Sequence, residues 1–180
     1  MKADMNISVE IPEGVSVSIE SGIVKMQGPK GSLERKLVNP RLALSVIDGH
    51  VEISAKNATK KEKMNIGTFK AHLNNMIKGV TEGHSYKLKI CSSHFPMTVK
   101  AENNTVSIKN YLGEVHPRIV KIVQGANVKI EGDIITVESA DIEVAGQTAG
   151  SIEKATRITN RDRRIFQDGI FIVEKKGKQL

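Results

Sequence analysis

Hydrophobic and polar positions alternate along much of the first half of the chain. The stretches SVEIPEGVSVSIE (8–20) and GIVKMQG (22–28) have the period of two that is typical of half-buried antiparallel strands. LALSVI (42–47) and HVEISA (50–55) flank Asp48-Gly49, a two-residue hairpin signal whose positive φ angles suit glycine. The pattern predicts antiparallel strands joined by tight turns.

A helix is predicted after these strands. Thr59-Lys60-Lys61-Glu62 fits a capping box, in which the Thr hydroxyl and the Glu carboxylate accept hydrogen bonds from free amides at a helix start. Apolar residues then recur at helical spacing, at Ile66, Phe69, Leu73, Met76 and Val80. Gly79 is the predicted end of this helix.

The second half of the chain repeats this order of patterns. TVSIKNYLG (105–113) corresponds to GIVKMQGPKG (22–31), and NVKIEGDIITVESA (127–140), with a hairpin at Gly132, corresponds to ALSVIDGHVEISA (43–55). A second helix follows, with Asp141 as its N-cap and an apolar face at Ala145, Ala149, Ile152, Thr156 and Thr159.

A repeat period of about 80–86 residues is too long for a solenoid and suits two copies of a small domain. We therefore predict an α+β protein of two tandem similar domains, residues 1–81 and 82–180. Each is expected to be a short antiparallel sheet packed by one helix.

Composition restricts the class of protein. Hydrophobic residues make up 39% of the chain and charged residues 26%, which is ordinary for a folded soluble domain. The net charge of +7 favours an anionic partner, either nucleic acid or an anionic membrane surface. No apolar run approaches the roughly 20 residues of a membrane span, and the N-terminal residues lack a signal-peptide core. A single cysteine, Cys91, is typical of a protein in a reducing compartment. We expect a cytoplasmic protein.

The positive charge is concentrated near the C-terminus. Residues 154–180 carry eight Lys or Arg against three Asp or Glu, whereas residues 90–153 carry five against eight. If the second helix continues to about residue 164, Lys154, Arg157, Arg161 and Arg164 form one stripe opposite its apolar face. Aligned by their helix ends, the first copy has LNNMIK where the second has TNRDRR, so the fold itself does not require the arginines.

These residue types favour RNA over the other anionic partners. Arginine donates paired hydrogen bonds to phosphate oxygens, and aromatic content of only 3% argues against binding of single strands by stacking. Folded RNA, recognised by its shape, is the predicted partner, because no large apolar residues flank the stripe for insertion into a membrane. The expected RNA contacts are Lys154, Arg157, Asn160, Arg161, Arg163 and Arg164, with Gln167 and the tail lysines Lys175, Lys176 and Lys178 extending the surface.

Other candidate sites are weaker. Gly28-Pro29-Lys30-Gly31-Ser32 lacks the spacing of a phosphate-binding loop, so we interpret it as a hairpin turn whose Lys30 touches phosphate. Gly146 and Gly150, one turn apart, indicate a close approach to the sheet or to an RNA backbone. Cys91 and His94 have no evident third group, and we interpret them as a buried cysteine and an incidental histidine. No metal site, cofactor or catalytic constellation is predicted.

Four motifs carry a resemblance to a known family. With VKMQGPKGSLER (24–35), IKNYLGE (108–114), VAGQTAGSIEKAT (144–156) and above all ITNRDRRIFQDGIF (158–171), the chain resembles the sixth protein of the large ribosomal subunit, in its archaeal and eukaryotic form. The resemblance implies a non-enzymatic structural protein of two similar domains that binds large-subunit rRNA chiefly through the second. It also implies a position near the sarcin–ricin loop and the stalk base. The neighbours there would be ribosomal proteins of the stalk base and translation factors. Neither a membrane nor DNA is expected as a partner.

Two functions from different classes remain open from the sequence. One is a structural component of the large ribosomal subunit in the cytoplasm. The other is a free-standing RNA-binding adaptor that uses the same fold, and an enzyme is a distant third.

Overall fold

The computed structural model describes residues 3–47 and 49–180. Asp48, half of the predicted Asp48-Gly49 hairpin, lies outside the described residues. The chain separates into two compact units, with the division between Gly83 and His84. This division falls two residues after the boundary expected from the sequence.

The first unit contains two antiparallel sheets of three strands each, where a single sheet was expected. Their strand orders are β1-β6-β5 and β2-β3-β4. The alternating segments form strands as predicted, because each strand turns its apolar side chains toward the core and its polar ones to solvent. The strands are β1 (Ala3–Glu10), β2 (Ser16–Glu20), β3 (Ile23–Gly28), β4 (Gly31–Lys36), β5 (Ala43–Ile47) and β6 (His50–Ala58).

Helix α1 (Lys60–Thr81) covers the core of the first unit. The predicted capping box is confirmed, since Glu62 accepts hydrogen bonds from the backbone N–H of Thr59, at 2.9 Å, and from its hydroxyl. The apolar positions are buried as predicted, with Phe69 only half-buried. The helix does not end at Gly79, which is buried within its last turn. It ends before Gly83, whose φ of +84° turns the chain while its N–H donates to the Lys78 carbonyl.

The second unit repeats the two-sheet arrangement of the first unit and has two additional strands in one sheet. Its sheets have the orders β11-β12-β7-β13-β14 and β10-β9-β8. Aligned along the chain, β7-β12-β11 matches β1-β6-β5, and β8-β9-β10 matches β2-β3-β4, which confirms the duplication. Strands β13 and β14 extend the second copy only. The strands are β7 (His84–Cys91), β8 (Thr98–Glu102), β9 (Thr105–Lys109), β10 (Arg118–Lys121), β11 (Asn127–Glu131), β12 (Ile134–Ser139), β13 (Gly169–Lys175) and β14 (Lys178–Gln179).

Helix α2 (Ile142–Ala155) packs on the larger sheet of the second unit. Asp141 is the N-cap, as predicted, and accepts a hydrogen bond of 2.8 Å from the Glu143 N–H. Ala145, Ala149 and Ile152 are fully buried against the sheet. Gly146 lies close to the sheet, because a Cβ at this position would be 3.3 Å from the Tyr86 hydroxyl oxygen. The predicted close approach therefore holds for Gly146.

No helix in the described part of the chain has the length and apolar character needed to cross a membrane. Within residues 3–47 and 49–180, no three His, Cys, Asp or Glu side chains are grouped as metal ligands would be.

Candidate nucleic-acid interface

Helix α2 ends before the arginines begin. It stops at Ala155, and Thr156 leaves the helical conformation with φ −102° and ψ 21°. The buried Thr156 hydroxyl accepts a hydrogen bond of 2.9 Å from the Ile170 N–H, and the Thr156 carbonyl accepts one of 2.6 Å from the Tyr111 hydroxyl. These contacts hold the chain away from the next helical turn. The prediction of a helix to residue 164, with one basic stripe along it, is wrong, and Thr159 is exposed rather than part of an apolar face.

The arginines lie in a connection that we call the basic loop, residues 157–168. It carries Arg157, Arg161, Arg163 and Arg164, all exposed. The described part of the first unit has no counterpart, because Gly83 leads directly from α1 into β7, and the LNNMIK segment aligned with TNRDRR lies inside α1. The alignment by helix ends was therefore wrong, although the arginines remain specific to the second unit.

Asp168 closes the basic loop and holds it to the segment after β7. Its side chain is only 3% exposed. It accepts hydrogen bonds from the Ser93 N–H at 2.6 Å, the His94 N–H at 2.9 Å and the His94 Nδ1 at 2.6 Å. Burial raises the pKa of Asp168, but the hydrogen bonds from the His94 backbone, the His94 ring and the Ser93 backbone outweigh it and lower the pKa to about 2. The carboxylate is therefore ionised at neutral pH.

A stack of three side chains orders the middle of the basic loop. The His94 ring lies 4.7 Å from the Phe166 ring at an interplanar angle of 27°, and the Arg161 guanidinium lies 4.7 Å from the same ring centroid. Asp168 is the third group that sequence reasoning did not find for His94, so His94 is a structural partner and not incidental. Cys91 is half-buried rather than buried.

Arg164 is held by a neighbouring acid. Its side chain is 90% exposed and donates to Asp162 at 2.8 Å and 3.2 Å, while its backbone N–H donates to the same carboxylate at 2.9 Å. The hydrogen bond from the Arg164 side chain lowers the pKa of Asp162. This exposed pair points the guanidinium into solvent at little energetic cost.

A groove of about 980 Å³ opens between the last turn of α2 and the basic loop. Four of the side chains that the sequence singled out line it: Lys154, Arg157, Arg163 and Gln167. Phe166 and Phe171 contribute apolar surface, and Cys91 lies at the groove wall. Arg161, Arg164 and Asn160 are exposed on the same loop but do not line the groove, and Asn160 forms a turn with φ +58°.

The tail lysines and Lys30 lie elsewhere. Lys175 is at the far end of β13 from the basic loop, and at about 3.3 Å per residue the seven-residue strand separates them by about 20 Å. Lys176 and Lys178 follow in the turn and in β14, so the expected continuous surface is wrong. Lys30 is exposed in the turn between β3 and β4 of the first unit, where Gly28 pairs with Gly31, which confirms the predicted hairpin.

Arg118 is a supporting residue that the sequence did not reveal. Its guanidinium donates a hydrogen bond of 2.6 Å to the Ala155 carbonyl, lies 4.2 Å from the Tyr111 ring centroid and pairs with Glu114. A cation at this position satisfies a free carbonyl at the end of α2 and favours the helix dipole. Glu114 lies four residues earlier at (i, i+4) spacing, but only the fold brings Ala155 to Arg118.

The fold is therefore a duplicated α+β fold whose second copy carries an exposed, arginine-rich loop. The family model for ribosomal protein L6 matches residues 11–83 and 95–169, one match in each unit. The chain is 45% identical to the large ribosomal subunit protein uL6 of Methanobrevibacter smithii, over 93% of this chain and 94% of that protein. It is 46% identical to the protein of the same name from Methanosarcina mazei, over 93% of this chain and 96% of that protein.

The chain therefore belongs to the ribosomal protein L6 family. This family consists of structural, rRNA-binding proteins of translation, so its membership confirms the predicted class and the prediction that the chain is not an enzyme.

Proposed function

We propose that the chain is a structural constituent of the large ribosomal subunit in the cytoplasm, and that its second unit is the main rRNA-binding domain. The observation that carries this proposal is the basic loop, which presents four exposed arginines in a rigid frame on one copy of a duplicated fold. The names of the relatives from Methanobrevibacter smithii and Methanosarcina mazei support the assignment to the large subunit.

The finer placement follows the resemblance of the motifs. We infer that the second unit binds rRNA near the sarcin–ricin loop and the stalk base, beside the ribosomal proteins of that region and the site where translation factors bind. A domain that orders rRNA there needs contacts that hold backbone in place, and fixed arginines on a folded frame supply them.

The roles of the side chains differ with their positions. Lys154, Arg157 and Arg163 line the groove and contact the phosphates that enter it, whereas Arg161 and Arg164 contact phosphates along the outside of the loop. Asn160 and Gln167 add hydrogen bonds to base edges or sugars. The tail lysines Lys175, Lys176 and Lys178 form a second contact about 20 Å away, and Lys30 is a separate contact of the first unit.

The test compares two triple substitutions of equal charge. Arg161→Ala/Arg163→Ala/Arg164→Ala removes three cations from the basic loop, and Lys60→Ala/Lys61→Ala/Lys63→Ala removes three exposed cations from α1. Affinity for large-subunit rRNA is measured against salt concentration. Removal of each cation that binds a phosphate should reduce the slope of log K against log[salt] by roughly 0.7–0.9. Equal reductions in the two variants would mean that binding depends on net charge alone.

A free-standing adaptor is distinguished by where the protein resides. Sedimentation of cell extract should place one copy in each large subunit. A predominantly soluble pool would contradict the proposed function.

A further inference from the structure

No contact within the described chain explains why position 150 of α2 is a glycine. Glycine within a helix costs about 0.5–1 kcal/mol relative to alanine, so it is normally found where something approaches the backbone closely. Gly146 meets this condition, since a Cβ there would be 3.3 Å from the Tyr86 hydroxyl oxygen. At Gly150 a Cβ would have no heavy atom of the described chain within 4 Å beyond its immediate helical neighbours. The space beside Gly150 is the groove.

The groove combines apolar and cationic surface. Phe171, which is 38% exposed, and the half-buried Ile158 line it together with Phe166. The whole chain has four phenylalanines, so two of the four are at this groove. Lys154, Arg157 and Arg163 surround these apolar side chains. A surface that only held duplex phosphates would need the cations and not the aromatic rings.

The charge of the groove favours an anion. Three cations and one carboxylate, that of Glu153, line it. The Glu153 carboxylate accepts a hydrogen bond of 3.0 Å from the Ile172 N–H. Sites that enclose ligands typically have volumes of about 300–1,000 Å³, and this groove of about 980 Å³ is at the upper end of that range. It has room for a nucleoside together with the phosphates on both sides of it.

The walls of the groove are fixed before any ligand arrives. Asp168 holds Ser93, which lines the groove, and the His94 ring stacks on Phe166. The Phe171 ring packs against Gly169, with ring atoms 3.1 Å and 3.3 Å from where a Cβ would lie. The Phe171 side chain is 38% exposed, so part of it is open to a ligand, and a rigid aromatic surface costs little entropy on binding.

We propose that this groove receives one unpaired nucleotide of the rRNA. Its base stacks on Phe171 beside the open space at Gly150, and its flanking phosphates contact Arg157 and Arg163. This inference rests on the proposed function and adds the recognition of an extruded base to it. Proteins commonly recognise RNA through splayed-out bases, because unpaired nucleotides expose both a stacking face and their base edges.

The experiment fills the groove without changing its charge. In Gly150→Leu the side chain occupies the open space. Gly67→Leu is the matched control, since Gly67 lies on the exposed side of a helix, and a Cβ there would likewise meet no neighbouring atom within 4 Å. Both substitutions should preserve or raise stability, because leucine is the better helix former. Binding of the full chain to large-subunit rRNA is measured against salt, with chemical probing of base reactivity in the complex.

Loss of one stacked base should weaken binding of Gly150→Leu by about 5- to 150-fold, with an unchanged salt slope. Phe171→Leu should show the same loss. Probing should show one base that the wild-type protein and Gly67→Leu protect and that both groove variants leave reactive.

Wild-type affinity in Gly150→Leu, or a loss shared equally with Gly67→Leu, would overturn the inference and leave the proposed function intact. A reduced salt slope in Gly150→Leu would also overturn it, since leucine would then be displacing phosphates alone. Failure of the wild-type chain to bind large-subunit rRNA would contradict the proposed function itself.

Discussion

Replacement of Asp168 should show how much of its contribution to stability comes from the charge of the carboxylate and how much from its shape. In Asp168→Asn one oxygen remains to accept hydrogen bonds from the two backbone N–H groups of Ser93 and His94, but the negative charge is lost. The pKa of Asp168 is about 2 against a usual value of 3.8. At about 1.4 kcal/mol per pH unit, that difference corresponds to about 2 kcal/mol of stability at neutral pH.

This stability should depend on pH in a defined window. Because the pKa is lower in the folded protein than in the unfolded chain, the contribution is fully present above about pH 4 and is lost as the pH falls toward about 2. Asp168→Asn has no such titration at this position. The free energies of unfolding of the two proteins should therefore differ by about 2 kcal/mol at pH 7 and converge near pH 2.

Asp168→Ala should have a larger effect, since it also leaves two backbone N–H groups without their acceptor. Each part-buried N–H group that loses its acceptor costs up to about 1–3 kcal/mol. Glu102→Ala, which removes an exposed carboxylate at the end of β8, is the control and should change stability by less than about 0.5 kcal/mol.

Urea unfolding followed by circular dichroism, at pH values from 7 to 2, measures these differences. A gap between wild type and Asp168→Asn that stays constant down to pH 2 would show that the carboxylate charge is not what stabilises the loop anchor. Equal stabilities of Asp168→Ala and Glu102→Ala at pH 7 would refute the anchor altogether.

Three further substitutions test other parts of the structure. Thr156→Val keeps the shape of the side chain but removes the acceptor of the Ile170 N–H, and should lower the free energy of unfolding by about 1–3 kcal/mol, measured by urea unfolding. Gly83→Ala places a Cβ at φ +84° and should cost about 1–2 kcal/mol in the same assay, whereas Gly67→Ala should be neutral or stabilising. Cys91→Ser should leave rRNA affinity within about twofold of wild type, because no role in binding is assigned to its thiol; abolished binding by a folded variant would contradict this.

Most strands and both helix starts could be predicted from the sequence because local patterns determine them. Alternating side chains specify a strand, and Asp141 or the Thr59–Glu62 pair specifies a helix start with neighbouring groups alone. The pattern does not specify a strand's partner, which is why a single sheet in each unit was predicted and two are present.

The end of α2 could not be predicted, because distant residues determine it. The Tyr111 hydroxyl and the Ile170 N–H bind Thr156 from 45 and 14 residues away in the chain. Without those hydrogen bonds, the spacing of the arginines is as compatible with a helix as with a loop.

The candidate site likewise has one part that the sequence predicted and one part that depends on distant residues. Local charge identified the arginines, since clustering of like charge is visible in the sequence itself. The groove and its anchor were not visible, because His94 and Asp168 lie 74 residues apart and the groove walls come from α2, the segment after β7, the basic loop and β13. Low aromatic content argued against base stacking, but two of the four phenylalanines are concentrated at the groove.

The basic loop is fastened at both ends by buried polar residues, Thr156 on one side and Asp168 on the other. Between them, the stack on Phe166 orders the middle of the loop, and Arg157, Arg161, Arg163 and Arg164 are exposed. The exposed positions therefore form an exchangeable cassette: their side chains can be changed while Thr156, Asp168 and the Phe166 stack keep the loop in place. Under the proposed function, a change of RNA target would require changes in the cassette and none in the core that presents it.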